Sequence, residues 1–215
     1  MPKRKNKVKF NICNVHYALQ NIAEDGTVSF ETPVPMPGAV SLSLDANGEP
    51  SNFYADGYAY YTISNNMGYE GDLELAIVPE SFRTDVLKEE LDTNNVLVEN
   101  ANVETANFAL LFEFDGDKNH IRHVLYCCSA SRPATEGQTT EESKEVKTET
   151  LSLKASALPS GLVKSKTCES TDETTYNNWY SAVYIPTAAT TNNSTNTRSA
   201  STTKGGSTAA ATTTD

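Results

Sequence analysis

The chain has 215 residues, of which 38% are hydrophobic, and a formal charge of −11 at neutral pH; that suffices for one domain of ordinary size with a tail. Lys3, Arg4, Lys5, Lys7 and Lys9 put +5 into residues 1–9, so the remainder carries −16, which argues against tight nucleic-acid binding by the folded part. No apolar run approaches the roughly 18 residues that would span a bilayer, and no apolar h-region follows the basic start, so the expectation is a soluble protein made without a secretion signal, with no membrane partner.

Residues 1–9 read as a basic N-terminal arm, and the pattern of an antiparallel, mainly β domain follows over 10–186. Val8, Phe10 and Ile12, then Val15, Tyr17 and Leu19, alternate with polar residues, and Glu24, Asp25 and Gly26 supply a turn before Val28 and Phe30. Pro33, Pro35 and Pro37 interrupt any ladder, which predicts a rigid extended connection. Val40, Leu42 and Leu44 alternate with Ser41 and Ser43, and Asp45 to Gly48 end that strand.

Residues 52–69 hold five of the ten tyrosines, Tyr54, Tyr58, Tyr60, Tyr61 and Tyr69, among glycines and asparagines with little charge. With Phe53 they offer the rigid, amphipathic contact area of a protein-binding surface. An edge strand whose tyrosines pack on their own domain is the competing explanation.

Leu73, Leu75 and Ile77 alternate with Asp72, Glu74 and Ala76, giving a strand wet on one side and stopped by Pro79. Over 80–91 the period changes: Phe82, Val86, Leu87 and Leu91 follow helical spacing, which predicts one α-helix that plugs an open side of the β structure. Phe108, Leu110, Phe112 and Phe114 form a strong strand, turned by Asp115 to Asp117, and the return strand over 121–131 is apolar on both faces, which places this hairpin centrally. Residues 134–145 read as an acidic, solvated loop. Leu151 and Leu153 mark a last long strand, and Trp179 to Ile185 close the ordered chain. Residues 187–215, rich in Thr, Ser, Ala and Asn, read as a flexible tail that buries too little apolar surface to offset its ordering entropy.

His120, His123, Cys127 and Cys128 are the cluster of soft ligands, but strand alternation sends each pair to opposite faces, so no metal site is expected. The four cysteines lack a framework spacing and read as free thiols in a reducing compartment. Asp115, Asp117 and Asn119 match the start of a calcium loop, but His120 stands where glycine is needed and Tyr126 where the bidentate glutamate belongs. No nucleophile elbow, Walker loop or dinucleotide fingerprint occurs, so no enzyme and no cofactor are expected. Asn192 and Asn193 head glycosylation triplets that a Thr/Ser/Asn-rich stretch yields by chance.

The order of Asp25-Gly26-Thr27, the segment from Thr32 to Val40, Phe53-Tyr54-Ala55-Asp56, Gly68 to Glu74 and Phe108 to Phe114 resembles the major tail proteins of long-tailed, non-contractile phages, the phi13-type family, over about Lys7 to Tyr184. The resemblance implies a tail tube subunit: an antiparallel β-sandwich or barrel with one flanking helix, forming stacked hexameric rings. Its implied partners are copies of itself, the tape measure protein, tail tip and tail terminator proteins, and viral DNA passing transiently through the lumen. It implies a place in the virion, with assembly in the host cytoplasm. The inter-subunit loop would fall at about 45–70, which turns Phe53, Tyr54, Tyr58, Tyr60, Tyr61 and Tyr69 into assembly residues. An acidic lumen wall would repel DNA, with Asp72, Glu74, Glu113 and Glu149 as candidates. A cell-surface or carbohydrate-binding β-sandwich is the alternative, since exposed tyrosines also stack on sugars.

Overall fold

The computed structural model describes residues 8–116, 119–135, 137, 139 and 146–187. The basic arm up to residue 7, most of the acidic loop and everything from 188 onward, including the expected flexible tail, lie outside the described residues. The chain divides into a unit Met1–Tyr184 and a unit Ile185–Asp215. Of the second, only 185–187 are described, without helix or strand. All that follows concerns the first.

Strand β1 (Ile12–Ile22) absorbs two of the expected alternating runs into one strand. Asn14 adopts φ 51°, and the register against its neighbour shifts between Cys13 and His16. That bulge resets the side-chain parity, so Ile12, Val15, Tyr17 and Leu19 all meet the same core. β2 (Val28–Phe30) folds back on β1 after a turn in which the Asp25 carboxylate accepts the Thr27 N–H at 2.8 Å.

The proline segment does not stay out of the sheet as expected. β3 (Val34–Pro35) pairs with β1, and Met36 donates its N–H to the Val15 carbonyl at 2.7 Å and is buried. The prolines that lack a donor alternate with Val34 and Met36, which keep theirs.

β4 (Ala39–Asn47) leads into a separate hairpin, β5 (Ser51–Ala55) and β6 (Tyr58–Ile63), and the chain returns through β7 (Gly68–Leu75). Leu73 and Leu75 are core residues, but Ile77 lies past the strand end and is 71% exposed. Helix α1 (Glu80–Asp85) is shorter than the helix expected over 80–91. Lys88 takes a left-handed φ of 60°, and the Glu89 N–H closes onto the Arg83 carbonyl at 3.0 Å, which reverses the chain. Glu90 and Leu91 then form β8 (Glu90–Leu91), paired with β9 (Leu97–Val98).

β10 (Phe108–Phe114) and β11 (Arg122–Ala130) form the central hairpin, followed by β12 (Glu149–Ser156), the short β13 (Lys164–Lys166) and a second helix α2 (Glu173–Asn177). The protein is therefore mainly β, with one antiparallel nine-stranded sheet in the order β2-β1-β10-β11-β12-β7-β4, β3 attached to β1 and β13 to β11. Among the described residues there are two short helices where one was expected.

The sheet wraps its inner face around the α1 segment. Phe82, Val86 and Leu87 are fully buried against Leu75, Phe108, Leu110, Leu125 and Leu151. Tyr17–Phe82 and Phe82–Phe108 meet edge to face at 5.2 and 5.3 Å between ring centroids. Each such fully buried Leu or Phe contributes about 1.5–3 kcal/mol of apolar transfer, so the α1 segment closes the inner face as the helical period suggested. The outer face of β1, β10 and β11 is covered as well: Ala18, Ala109, Leu111, Val124 and Tyr126 pack under Leu158 and Trp179. This double burial is why the return strand is apolar on both sides.

Candidate assembly surface

The tyrosine stretch is the β5–β6 hairpin. Ala55 pairs with Tyr58, which leaves Asp56-Gly57 as a two-residue turn with φ of 53° and 82°, the conformation that this dipeptide favours. Asn52 accepts the Thr62 hydroxyl at 2.7 Å across the pair. The two strands form a sheet of their own rather than joining the main one. Phe53, Tyr54, Tyr58, Tyr60 and Tyr61 are each more than half exposed, as is Ile63. An isolated two-stranded hairpin is marginal in water, and an exposed apolar patch of this kind makes it a candidate contact surface.

The root of the hairpin is fixed. Asn47 pairs with Gly68, the Met67 N–H donates to the Asn47 carbonyl at 2.8 Å, and the Gly68 N–H donates to the Asn66 side chain at 3.0 Å. Gly48 (φ 123°) and Gly68 (φ 97°) sit where a Cβ would lie 2.5 Å from the Asn65 carbonyl oxygen and 1.9 Å from that of Ala155. The chain thus crosses from the main sheet to the hairpin through two positions that only glycine fits.

Tyr69 parts company with the other tyrosines. It belongs to β7, is half-buried, and receives Lys164, whose Nζ lies 4.1 Å from the ring centroid and donates to the phenol oxygen at 2.7 Å.

The four acidic candidates also separate. Asp72 and Glu74 share the wet face of β7, flanked by Ser43 and Ser41 of β4 and by Ser152 and Thr150 of β12. Asp72 accepts the Ser152 hydroxyl at 2.8 Å; Glu74 accepts Thr148 at 2.6 Å and Ser41 at 2.8 Å. The Thr148 hydroxyl, followed by that of Ser41, holds the Glu74 carboxyl below its ordinary value, so it stays ionised. Glu70, two residues before Asp72, and its β4 partner Asp45 extend this acidic row; the sequence reading had not singled them out for it.

Glu149 points elsewhere, accepting the Val78 N–H at 2.6 Å and pairing with Arg83 at 2.8 Å, so it ties β12 to α1.

Glu113 departs furthest from expectation. It is 5% exposed and lies under the C-terminal segment, where it pairs with Arg122 at 3.1 Å and accepts Asn14 and the Tyr180 hydroxyl. The Arg122 guanidinium is itself 4.0 and 4.9 Å from the ring centroids of Tyr176 and Tyr180 and donates to the Tyr176 carbonyl. Burial, followed by the Glu113 charge, pushes the Tyr180 hydroxyl far up, which keeps it a donor. Alternation predicted a polar face at Glu113; residues 157–184, which carry no periodic signal, cover that face.

Among the described residues, no group of His, Cys, Asp and Glu is arranged to hold a metal ion. His123 stacks on Phe112 at 5.0 Å, Cys128 is fully buried, and His120 lies in the turn before β11. Of the calcium-loop triad, Asp117 lies outside the described residues. Cys168, by contrast, is exposed; its sulfur shares a hydrogen bond with the Ser170 hydroxyl and accepts one from Thr171, and these contacts, Ser170 first, lower its thiol to about 7.

No protein-family model and no curated protein matches the chain. Among solved structures it is similar to the tube-terminating cap of the anti-feeding prophage, determined by cryo-EM. The identity is 10%, the match covers 78% of this chain and 97% of that one, and the TM-score is 0.38.

Proposed function

We propose that this protein is a structural subunit of a phage tail tube, which assembles with copies of itself into stacked hexameric rings around the tape measure protein. The observation that carries the reading is the β5–β6 hairpin, with six large apolar side chains exposed and its own two-stranded sheet. A neighbouring subunit supplies the cover that the described residues of the chain do not. The resemblance in sequence to the major tail proteins of long-tailed phages points the same way, and the tail tip and tail terminator proteins would meet the tube at its ends.

The acidic row of Asp45, Glu70, Asp72 and Glu74 lines the lumen in this reading. Asp72 and Glu74 accept serine and threonine hydroxyls, and Glu70 accepts the Asn47 amide. With Lys154 beside Glu70 as its one cross-strand cation among the described residues, the row presents net negative charge to passing DNA. Repulsion of the phosphates favours sliding over binding. Glu113 and Glu149 have no part in it, since both are engaged within the subunit.

Negative-stain microscopy of the concentrated protein tests the proposal. Rings or tubes with a central hole are expected from the full chain, and a folded, non-assembling subunit when residues 51–63 are replaced by a short turn. A full chain that stays monomeric at high concentration, or that binds glycans through the hairpin tyrosines, refutes it.

A further inference from the structure

A cavity of about 170 Å³ lies beside the root of the hairpin, walled by Leu44, Phe112, Phe114 and Leu125 and rimmed by Lys9 and Lys164. Its volume is close to the ~150 Å³ of an apolar cavity that accepts one benzene ring. Lys9 stands with its Nζ 4.9 Å from the Phe114 ring centroid, and Lys164 stands over Tyr69. Among the described residues neither lysine has a carboxylate within ion-pairing distance. In a body of net negative charge, this pocket joins two cations to an apolar floor.

The hairpin carries the complementary set. Residues 51–63 contain one charged side chain, Asp56, held at the tip by its turn, with Tyr58 immediately after the turn. The hairpin is exposed on both faces, so none of the described residues of its own chain covers the tip.

We infer that the pocket receives the hairpin tip of a second copy of this chain, with the Tyr58 ring on the apolar floor and the Asp56 carboxylate between Lys9 and Lys164. The inference rests on the self-assembly proposed above and names the surface that the hairpin meets. Because tip and pocket are different surfaces, the contact is head-to-tail: every copy gives one tip and accepts one, and the repeat closes into a ring or continues as a filament. Charge complementarity fixes which neighbour fits, and ring burial supplies the attraction.

Two charge-reversed chains test this. The first is Asp56→Lys, with a cationic tip and the native pocket; the second is Lys9→Glu with Lys164→Glu, with the native tip and an anionic pocket. Each alone brings like charges together, and should need on the order of tenfold or more protein to assemble, judged by sedimentation velocity and microscopy. Mixed in equal amounts they should co-assemble near the wild-type concentration, since each tip then meets a pocket of opposite charge. All three positions are exposed, so folding, checked by circular dichroism, should be unaffected.

If the wild type assembles and either variant does so equally well, or the mixture fails, the pocket is not the receptor, although self-assembly stands. If the wild type never assembles, the tail tube reading falls and takes this inference with it.

Discussion

The Glu113–Arg122 pair offers the sharpest test of how the C-terminal segment is held. Replacing Glu113 by alanine leaves the Arg122 guanidinium, whose side chain is 18% exposed, without its carboxylate and strands the Tyr180 hydroxyl and the Asn14 amide. Removing one partner of such a buried pair costs about 3–5 kcal/mol. For a body of this size each kcal/mol lowers the melting temperature by about 2–4 °C, so a fall of about 6–20 °C is expected. Trp179, the one tryptophan, lies in the segment that the pair secures, so its fluorescence reports local release while far-UV circular dichroism reports the sheet. In Glu113→Ala the fluorescence transition should precede the circular dichroism transition. Glu113→Leu combined with Arg122→Met removes both charges from the partly buried site and should recover most of the loss. A loss under about 1 kcal/mol for the single variant, or a double variant no better than the single, refutes the account.

Gly68→Ala should destabilise strongly, because its Cβ would lie 1.9 Å from the Ala155 carbonyl oxygen, whereas Gly57→Ala, with a similar positive φ but open space around it, should cost only about 1 kcal/mol; equal losses in urea titrations would contradict this. Burial, more than any partner, pushes the Tyr17 hydroxyl up to about 12 from 10. The folded state therefore favours the protonated phenol, so its contribution is complete below pH 10 and is lost as the pH rises from about 10 to 12; a melting temperature flat across that window would be inconsistent. Cys168 should react with a disulfide reagent first, with a half-maximal rate near pH 7, while Cys128, fully buried and with its thiol raised by burial, should react only on unfolding. Peptide mapping of the labelled protein checks both, and a Cys168 rate still climbing above pH 9 would refute the first.

The sheet was legible wherever one face is dry and the other wet. Leu73 and Leu75 against Asp72 and Glu74, and the double-sided apolar run around Val124 and Tyr126, each translate directly into position, because side-chain alternation and burial are the same fact in a strand. What escaped is governed by single backbone conformations. Helical spacing continues to Leu91, but Lys88 at φ 60° ends the turn before that residue is reached. Asn14 likewise resets the parity of β1, and the phase break it leaves between Ile12 and Val15 looks the same in the hydrophobic pattern as a boundary between two strands.

The site divides along the same physical line. Composition left the tyrosines open between contact area and an edge strand packed on its own domain, and the Asp56-Gly57 dipeptide between aromatic runs already carried the signal of a two-residue hairpin turn, which fixes the tip. Nothing comparable was available for the acids. Asp72 and Glu113 occupy equivalent polar positions in alternating strands, yet one faces water and the other is buried, because the difference depends on residues 157–184 arriving from far along the chain. A strand's alternation says which side chains share a face, but not what will cover that face. For Glu113 the cover is the chain's own C-terminal segment, held by Arg122. For the hairpin none of the described residues of the same subunit serves, and that asymmetry is the reason to look for its cover in another copy.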